Sequence, residues 1–319
     1  MTTNSVTLLP DGTAIITRSI PVPDTLSPEA QAHLATGETW APEDGSPAQK
    51  EQIERALAMY PVQIEAATMA GVPVKVVRPR NASIDKQDCV LMNLHGGGFV
   101  TDSGSMLESI PIAALTGIPV VTVLYRLAPQ HKFPAAVDDA AAVYNELLKT
   151  HAPQRMAIYG TSAGGILTAQ TVVRLRQTGV PLPAALGFFT AMADFCRLGD
   201  TAAFFGVPGL ADAQTLKRGE SVQDHTRLGD HDPHDPAVSP IYADLHGFPP
   251  TLCVAGTRDM MLSGTANFHR ALLRAGVDAD LIVFDAMPHA HWYMVGIPEA
   301  IEANEAMARY FLRALGFQA

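Results

Sequence analysis

The stretch Met156-Ala-Ile-Tyr159-Gly160-Thr-Ser162-Ala-Gly-Gly165-Ile166 decides the fold. Met156–Tyr159 is apolar and short, as a buried strand is. From Ile166 to Gln177 the apolar residues recur at helical spacing. Between them lies a G-x-S-x-G turn, which sets a serine on a sharp strand-to-helix bend, its hydroxyl exposed above the helix N-terminus. Glycine suits such a turn because neighbouring backbone passes where a Cβ would sit. In a chain of this composition the pattern arises by chance roughly 0.07 times, so its place between strand and helix counts for more than the pattern itself.

Outward from this turn the alternation continues. Strands are predicted at Val72–Val77, Cys89–Leu94, Ile118–Leu124, Ala185–Phe189, Thr251–Ala255 and Asp280–Phe284. Helices are predicted at Pro134–Leu148, Gly264–Ala275 and Pro298–Leu315. Apolar strands alternating with helices predict an α/β protein with a mostly parallel, twisted sheet flanked by helices on both faces. A polar stretch between Asp194 and Ser239, with Phe204 and Phe205, interrupts the order and reads as an insertion. The first 60 residues carry six prolines and two helix-like pieces, at Ser27–Ala30 and Ser46–Met59. The expected organisation is an N-terminal arm at 1–60, a core at 61–194 and 239–319, and an insertion at 195–238.

Composition excludes several classes. The chain has 319 residues and a formal net charge of −10, which argues against nucleic acid, since phosphate binding needs clustered Lys and Arg. The six lysines are scattered, so no polybasic membrane patch forms, and no apolar run is long enough to span a bilayer. Three cysteines (Cys89, Cys196, Cys253) are an odd number without paired spacing, and Met1–Gly12 lacks the layout of a secretory signal. A cytoplasmic location is expected.

A second signal is His95-Gly-Gly-Gly98-Phe99, directly after the strand Cys89–Leu94. Its first four residues have a chance expectation of roughly 0.005. Three glycines let the backbone turn N–H groups into a cavity, where they can stabilise a developing oxyanion. No G-K-[ST] follows, so a phosphate cradle is the weaker reading.

A serine nucleophile needs an imidazole base and an acid that orients it. In sheets of this kind, sites gather at the carboxyl ends of strands. His289 and His291 both follow the strand Asp280–Phe284, and Asp259 follows Thr251–Ala255. The chain order Ser162, Asp259, His289 is that of serine hydrolases built on such a sheet. Asp285, four residues before His289, is the second candidate acid. The cluster Asp230-His-Asp-Pro-His-Asp235 reads as a solvated loop, because Pro233 and Pro236 break any helix that would align metal ligands.

Taken together, these segments resemble the bacterial hormone-sensitive-lipase family of esterases within the α/β-hydrolase superfamily. The matching residues are His95–Phe99, Tyr125-Arg-Leu-Ala-Pro129, Phe133–Asp139, Gly160–Gly165, Asp235–Tyr242, Pro249–Leu252 with Gly256–Asp259, and Met287-Pro-His289. The resemblance spans about residues 70 to 315. Thr161 stands where many members carry Asp, so the chain is similar to the G-T-S-A-G subgroup. The family implies Ser162 as nucleophile, Asp259 as acid and His289 as base. It also implies oxyanion donors from Gly97, Gly98 and Ala163, a structural role for His95, and a helical cap formed by the arm and the insertion. His291 departs from the pattern and is expected to assist or compete. A carboxylesterase acting on short- to medium-chain acyl esters is expected, with no metal or organic cofactor. Phe99, Trp40, Tyr60, Phe204 and Phe205 are candidates for the acyl pocket. Alternatives are a lactone or amide hydrolase with the same triad, or a non-catalytic receptor on the same scaffold. A homodimer through an edge strand or the last helix stays open.

Overall fold

The computed structural model describes residues 5–17, 20–36, 44–80, 84–205 and 227–318. Ten strands and eight α-helices lie within them. In chain order they are β1 (Ser5–Leu8), β2 (Ala14–Thr17), α1 (Pro28–Thr36), α2 (Pro47–Met59), β3 (Val62–Met69), β4 (Val72–Pro79), β5 (Val90–Leu94), α3 (Ser105–Thr116) and β6 (Val120–Val123). Then come α4 (Ala135–Leu147), β7 (Met156–Thr161), α5 (Ala163–Gln177), β8 (Ala185–Phe189), α6 (Asp200–Phe205), β9 (Thr251–Arg258), α7 (Leu262–Arg274), β10 (Ala279–Pro288) and α8 (Pro298–Ala314). Eight strands form one sheet in the order β10-β9-β8-β7-β5-β6-β4-β3. The run from β10 to β6 is parallel; β4 and β3 join antiparallel at one edge.

Alternate residues of the same strands enter opposite layers, as the period of two requires. Val90, Met92 and Leu94 of β5, Ile158 of β7 and Phe188 of β8 pack beneath α4, α5 and α7. Leu91, Ala157, Tyr159 and Phe189 face α3 and α8 on the other side. Both faces are covered, so β5, β7 and β8 are buried along their whole length and mostly apolar. Each fully buried Leu or Phe contributes about 1.5–3 kcal/mol to stability.

All the predicted strands and helices occur, but β3 and α3 do not follow from the sequence pattern. Edge strand β3 is mostly exposed and lacks a clean apolar alternation. Helix α3 carries Pro111 inside it, a residue that normally argues against a helix. Both N-terminal helices form, and Ser46 caps α2 by accepting from the Gln49 N–H at 3.1 Å. Among the described residues, no helix is long and apolar enough to cross a membrane.

Candidate active site

The candidate side chains share one position in the fold: each is the first residue past the carboxyl end of a parallel strand. Ser162 follows β7, Asp259 follows β9 and His289 follows β10. Because neighbouring strands run in register, these ends lie side by side at one edge of the sheet.

Ser162 occupies the turn between β7 and α5 at φ 57°, ψ −119°, a conformation that L residues rarely adopt. Its N–H donates to the Phe189 carbonyl at 2.9 Å, and its carbonyl accepts from Ile166 N–H at 3.1 Å. The turn can be this tight because of its glycines: a Cβ on Gly164 would overlap the Leu94 carbonyl oxygen. The strained residue is therefore held by backbone from three strands.

His289 Nδ1 lies 2.9 Å from Asp259 Oδ1 and 3.0 Å from Thr190 Oγ1. A carboxylate accepts, so Nδ1 carries the proton and Nε2 is left as the basic nitrogen. Asp259 is fully buried. Its Oδ1 also accepts from Met261 N–H at 2.8 Å, which fixes the carboxylate. His289 keeps part of its ring open to solvent. Among the described residues no hydrogen bond joins Ser162 to His289. The acid and the imidazole are thus in direct contact.

The glycine loop after β5 turns sharply. Gly97 has φ 124° and Gly98 has φ 62°, and the Gly97 carbonyl is bonded by Val100 and Thr101 N–H groups. Among the described residues, the N–H groups of Gly97, Gly98 and Ala163 donate to no protein acceptor. His95 is buried and stacks on Tyr125 at 4.2 Å. Its Nδ1 donates to the Gly96 carbonyl at 2.8 Å, and burial holds its pKa below the usual histidine value. It therefore braces the loop as a neutral ring.

Other sequence candidates fall elsewhere. Asp285 is exposed and bonds Thr25 and Thr257, both at 3.4 Å, so it does not orient His289. His291 is fully buried among Phe284 and Trp292, and burial pushes its pKa down to about 3. It cannot compete with His289 as a base in that position. Phe99 borders a cleft together with Phe133, Gln170, Phe195, Arg227 and Leu228. Tyr60 does not line it; its ring belongs to the core layer under α3 and α8, where the C-terminus of α2 lands. Phe204 is 55% exposed and is absent from the cleft wall. Trp40 lies outside the described residues, and so does the side chain of Phe205. Among the described residues no cluster of three His, Cys, Asp or Glu side chains is arranged to hold a metal ion, and His234 pairs with Asp232 at 3.2 Å.

Three residues carry weight that the sequence did not signal. Thr190 follows β8 as the others follow their strands, and the same positional rule identifies it. Phe133 and Phe195 line the cleft from loops whose course no local pattern fixes.

A parallel sheet with a serine elbow after β7, and a bonded acid and imidazole after β9 and β10, defines a hydrolase scaffold. The chain belongs to the α/β-hydrolase fold family, whose model matches residues 91–293. It is similar to an acetyl-hydrolase from Streptomyces hygroscopicus, with 32% identity over 231 residues, covering 71% of this chain and 76% of that one. A carboxylesterase of Mycobacterium tuberculosis is 29% identical over 269 residues, covering 77% and 80%. A crystal structure of an esterase from the bacterial hormone-sensitive lipase family superposes with a TM-score of 0.72 at 30% identity, covering 85% of this chain and 99% of that one.

Proposed function

We propose that the protein is a carboxylesterase that cleaves short- to medium-chain acyl esters through an acyl-enzyme on Ser162. The observation that carries this reading is the 2.9 Å bond between Asp259 and His289 Nδ1, which leaves Nε2 as the base at the edge where the Ser162 elbow stands. Relatives named as acetyl-hydrolase and carboxylesterase support the same reaction class.

In this mechanism His289 Nε2 takes the Ser162 proton as Oγ attacks the ester carbonyl. Asp259 holds the imidazole in the required tautomer and stabilises its positive charge. The carbonyl oxygen, now an oxyanion, is received by the N–H groups of Gly97, Gly98 and Ala163, which have no acceptor to give up among the described residues. Loss of one such donor in a comparable hydrolase costs on the order of 10²–10³ in rate. The C–O bond breaks, and His289 returns the proton to the leaving alcohol. Water, deprotonated by the same imidazole, then attacks the acyl-enzyme and releases the acid and free Ser162. The cleft beside Phe99, Phe133 and Phe195 is the candidate acyl site; Ser162, Asp259 and His289 do not line it, and Phe99, next to Gly98, is its link to the glycine loop. A cap made from the arm (1–60) and the insertion (195–238), much of which lies outside the described residues, is supported on the arm side by the bond from Gln49 Nε2 to the Asp102 carbonyl (3.1 Å), just past the glycine loop.

The test is turnover of p-nitrophenyl esters from acetate to palmitate by wild type and Ser162→Ala. Activity peaking between acetate and octanoate, and lost in Ser162→Ala, is expected. Equal rates for the two proteins would refute the assignment.

A further inference from the structure

Glu108 lies in the first turn of α3 and is buried, yet no step of the mechanism above uses it. Its carboxylate meets three donors and no cation. Oε1 accepts the Gly96 N–H at 2.9 Å and the Tyr293 hydroxyl at 2.5 Å, and Oε2 accepts from Asn93 Nδ2 at 2.7 Å. These donors come from three places that bear on the site. Gly96 opens the glycine loop, Asn93 lies in β5 beneath that loop, and Tyr293 lies four residues past His289.

The packing around this point is tight. A Cβ on Gly104 would overlap the Tyr293 hydroxyl and Glu108 Oε1. A Cβ on Gly96 would lie 2.9 Å from the Tyr293 hydroxyl and 3.1 Å from the Thr161 carbonyl oxygen. So the Tyr293 hydroxyl, the glycine loop and the residue before Ser162 converge at one spot. The Trp292 indole N–H adds a 3.2 Å bond to Thr161 Oγ1, tying the segment after His289 to the serine elbow. Burial pushes the Glu108 carboxyl up to about 7, so its charged form is not favoured by its surroundings. A residue chosen for stability alone at this position would be apolar or neutral.

We propose that Glu108 is a positioning residue: its carboxylate binds the glycine loop through Gly96 and the post-His289 segment through Tyr293, and so fixes the spacing between the oxyanion donors and Ser162. The inference rests on the esterase reading for the meaning of that spacing. A misplacement of about 1 Å at such a site costs on the order of 10²-fold in rate. Glutamine keeps one acceptor oxygen but turns an N–H2 group towards the remaining donors, so Asn93 or Tyr293 has to reorient to accept it and the three-donor arrangement is lost.

The experiment compares wild type, Glu108→Gln and Tyr293→Phe in two ways. One is the kinetics of p-nitrophenyl butyrate hydrolysis. The other is amide hydrogen exchange of peptides covering 95–103 and, as an internal reference, 156–160. Both variants are expected to lose about 10- to 100-fold in kcat with KM within about threefold, and to exchange faster in 95–103 but not in 156–160. Tyr293→Phe keeps the ring and its packing, so it reports even where the charge-removing variant folds poorly. The proposal is overturned by unchanged kcat and exchange, by a rise in KM alone, or by exchange that rises equally in both peptides. If wild type cleaves no ester, the functional reading has failed, and the exchange result alone then decides for or against positioning by Glu108.

Discussion

The carboxyl edge of the sheet and the N-terminal arm are built on different principles. At the sheet edge, Ser162, Thr190, Asp259 and His289 emerge from parallel strands, three of them largely buried, and each is held by backbone or side-chain bonds to a neighbouring strand. In the arm, the β1–β2 hairpin exposes every residue, including Leu8 at 73%. The next segment docks through a few contacts. Leu26 and Ala30 pack on Ala286, Met287, Ile297 and Ala300, and Ser27 donates twice to Glu299 at 2.7 Å. Geometry fixed by many buried groups can hold a strained residue such as Ser162; geometry fixed by a few surface bonds cannot. The arm nevertheless touches the far side of the site, because Ala286 and Met287 immediately precede the His289 turn.

This contrast makes predictions that differ in size. The largest belongs to the sheet edge. Asp259→Asn would leave the fold intact but favour the wrong imidazole tautomer, lowering kcat on p-nitrophenyl butyrate by about 10⁴-fold. Asp285→Asn, at the exposed runner-up, should leave kcat within about twofold; a comparable loss there would move the acid from Asp259. Gly164→Ala comes next. The methyl has no space beside the Leu94 carbonyl, so urea unfolding should show a loss of about 3 kcal/mol or more, or no soluble protein. A variant as stable as wild type would mean that the elbow is less rigid than described.

The third prediction concerns pH. His291 is held neutral, with its pKa down to about 3 against 6.5 in the unfolded chain. Its contribution to stability is present above pH 6.5 and is lost as pH falls below that value, because only the unfolded chain then takes the proton. Glu108, raised to about 7 from 4.5, has the opposite sign: its contribution is full below pH 4.5 and is lost as pH rises towards 7. In the shared window from 4.5 to 6.5 the two effects offset each other. Removing one titration, as in His291→Leu, should leave the other uncovered. Relative to wild type, the variant should gain about 2 kcal/mol on acidification from pH 6.5 to 5. Parallel stability curves for the two proteins would contradict the lowered pKa of His291.

The smallest effect belongs to the arm. Glu299→Gln weakens the two bonds from Ser27 and should cost about 1 kcal/mol in thermal unfolding, with kcat nearly unchanged. A large loss of activity would show that the arm holds the His289 turn more firmly than its contacts suggest.

The same contrast governs how much could be read from sequence. The apolar strands and the elbow were legible because burial on both faces leaves an unbroken apolar signal, and because Gly160 and Gly164 are demanded by close backbone. Asp259 and His289, which meet at 2.9 Å, were legible in part: strand-end position left His289 and His291 both open, and the family resemblance was needed to prefer His289. Helix α3 was not, since Pro111 masks it, and with it went Glu108, whose partners at positions 93, 96 and 293 meet only in the folded chain. Tyr60 was left open for a related reason: an aromatic residue at the end of α2 looks the same in sequence whether it faces a cleft or a core layer, and it lies in the core layer. The cleft-lining Phe133 and Phe195 sit in loops, where no period marks a buried face.

The most direct test of the central claim is covalent trapping. Wild type, Ser162→Ala and His289→Ala are incubated with diethyl p-nitrophenyl phosphate, and the adduct is located by peptide mass spectrometry. The expected result is one diethylphosphoryl group on Ser162 in wild type, formed with release of p-nitrophenol, none in Ser162→Ala, and formation slowed by about 10³-fold or more in His289→Ala. An adduct on another residue, or one that forms equally fast without His289, would contradict the account.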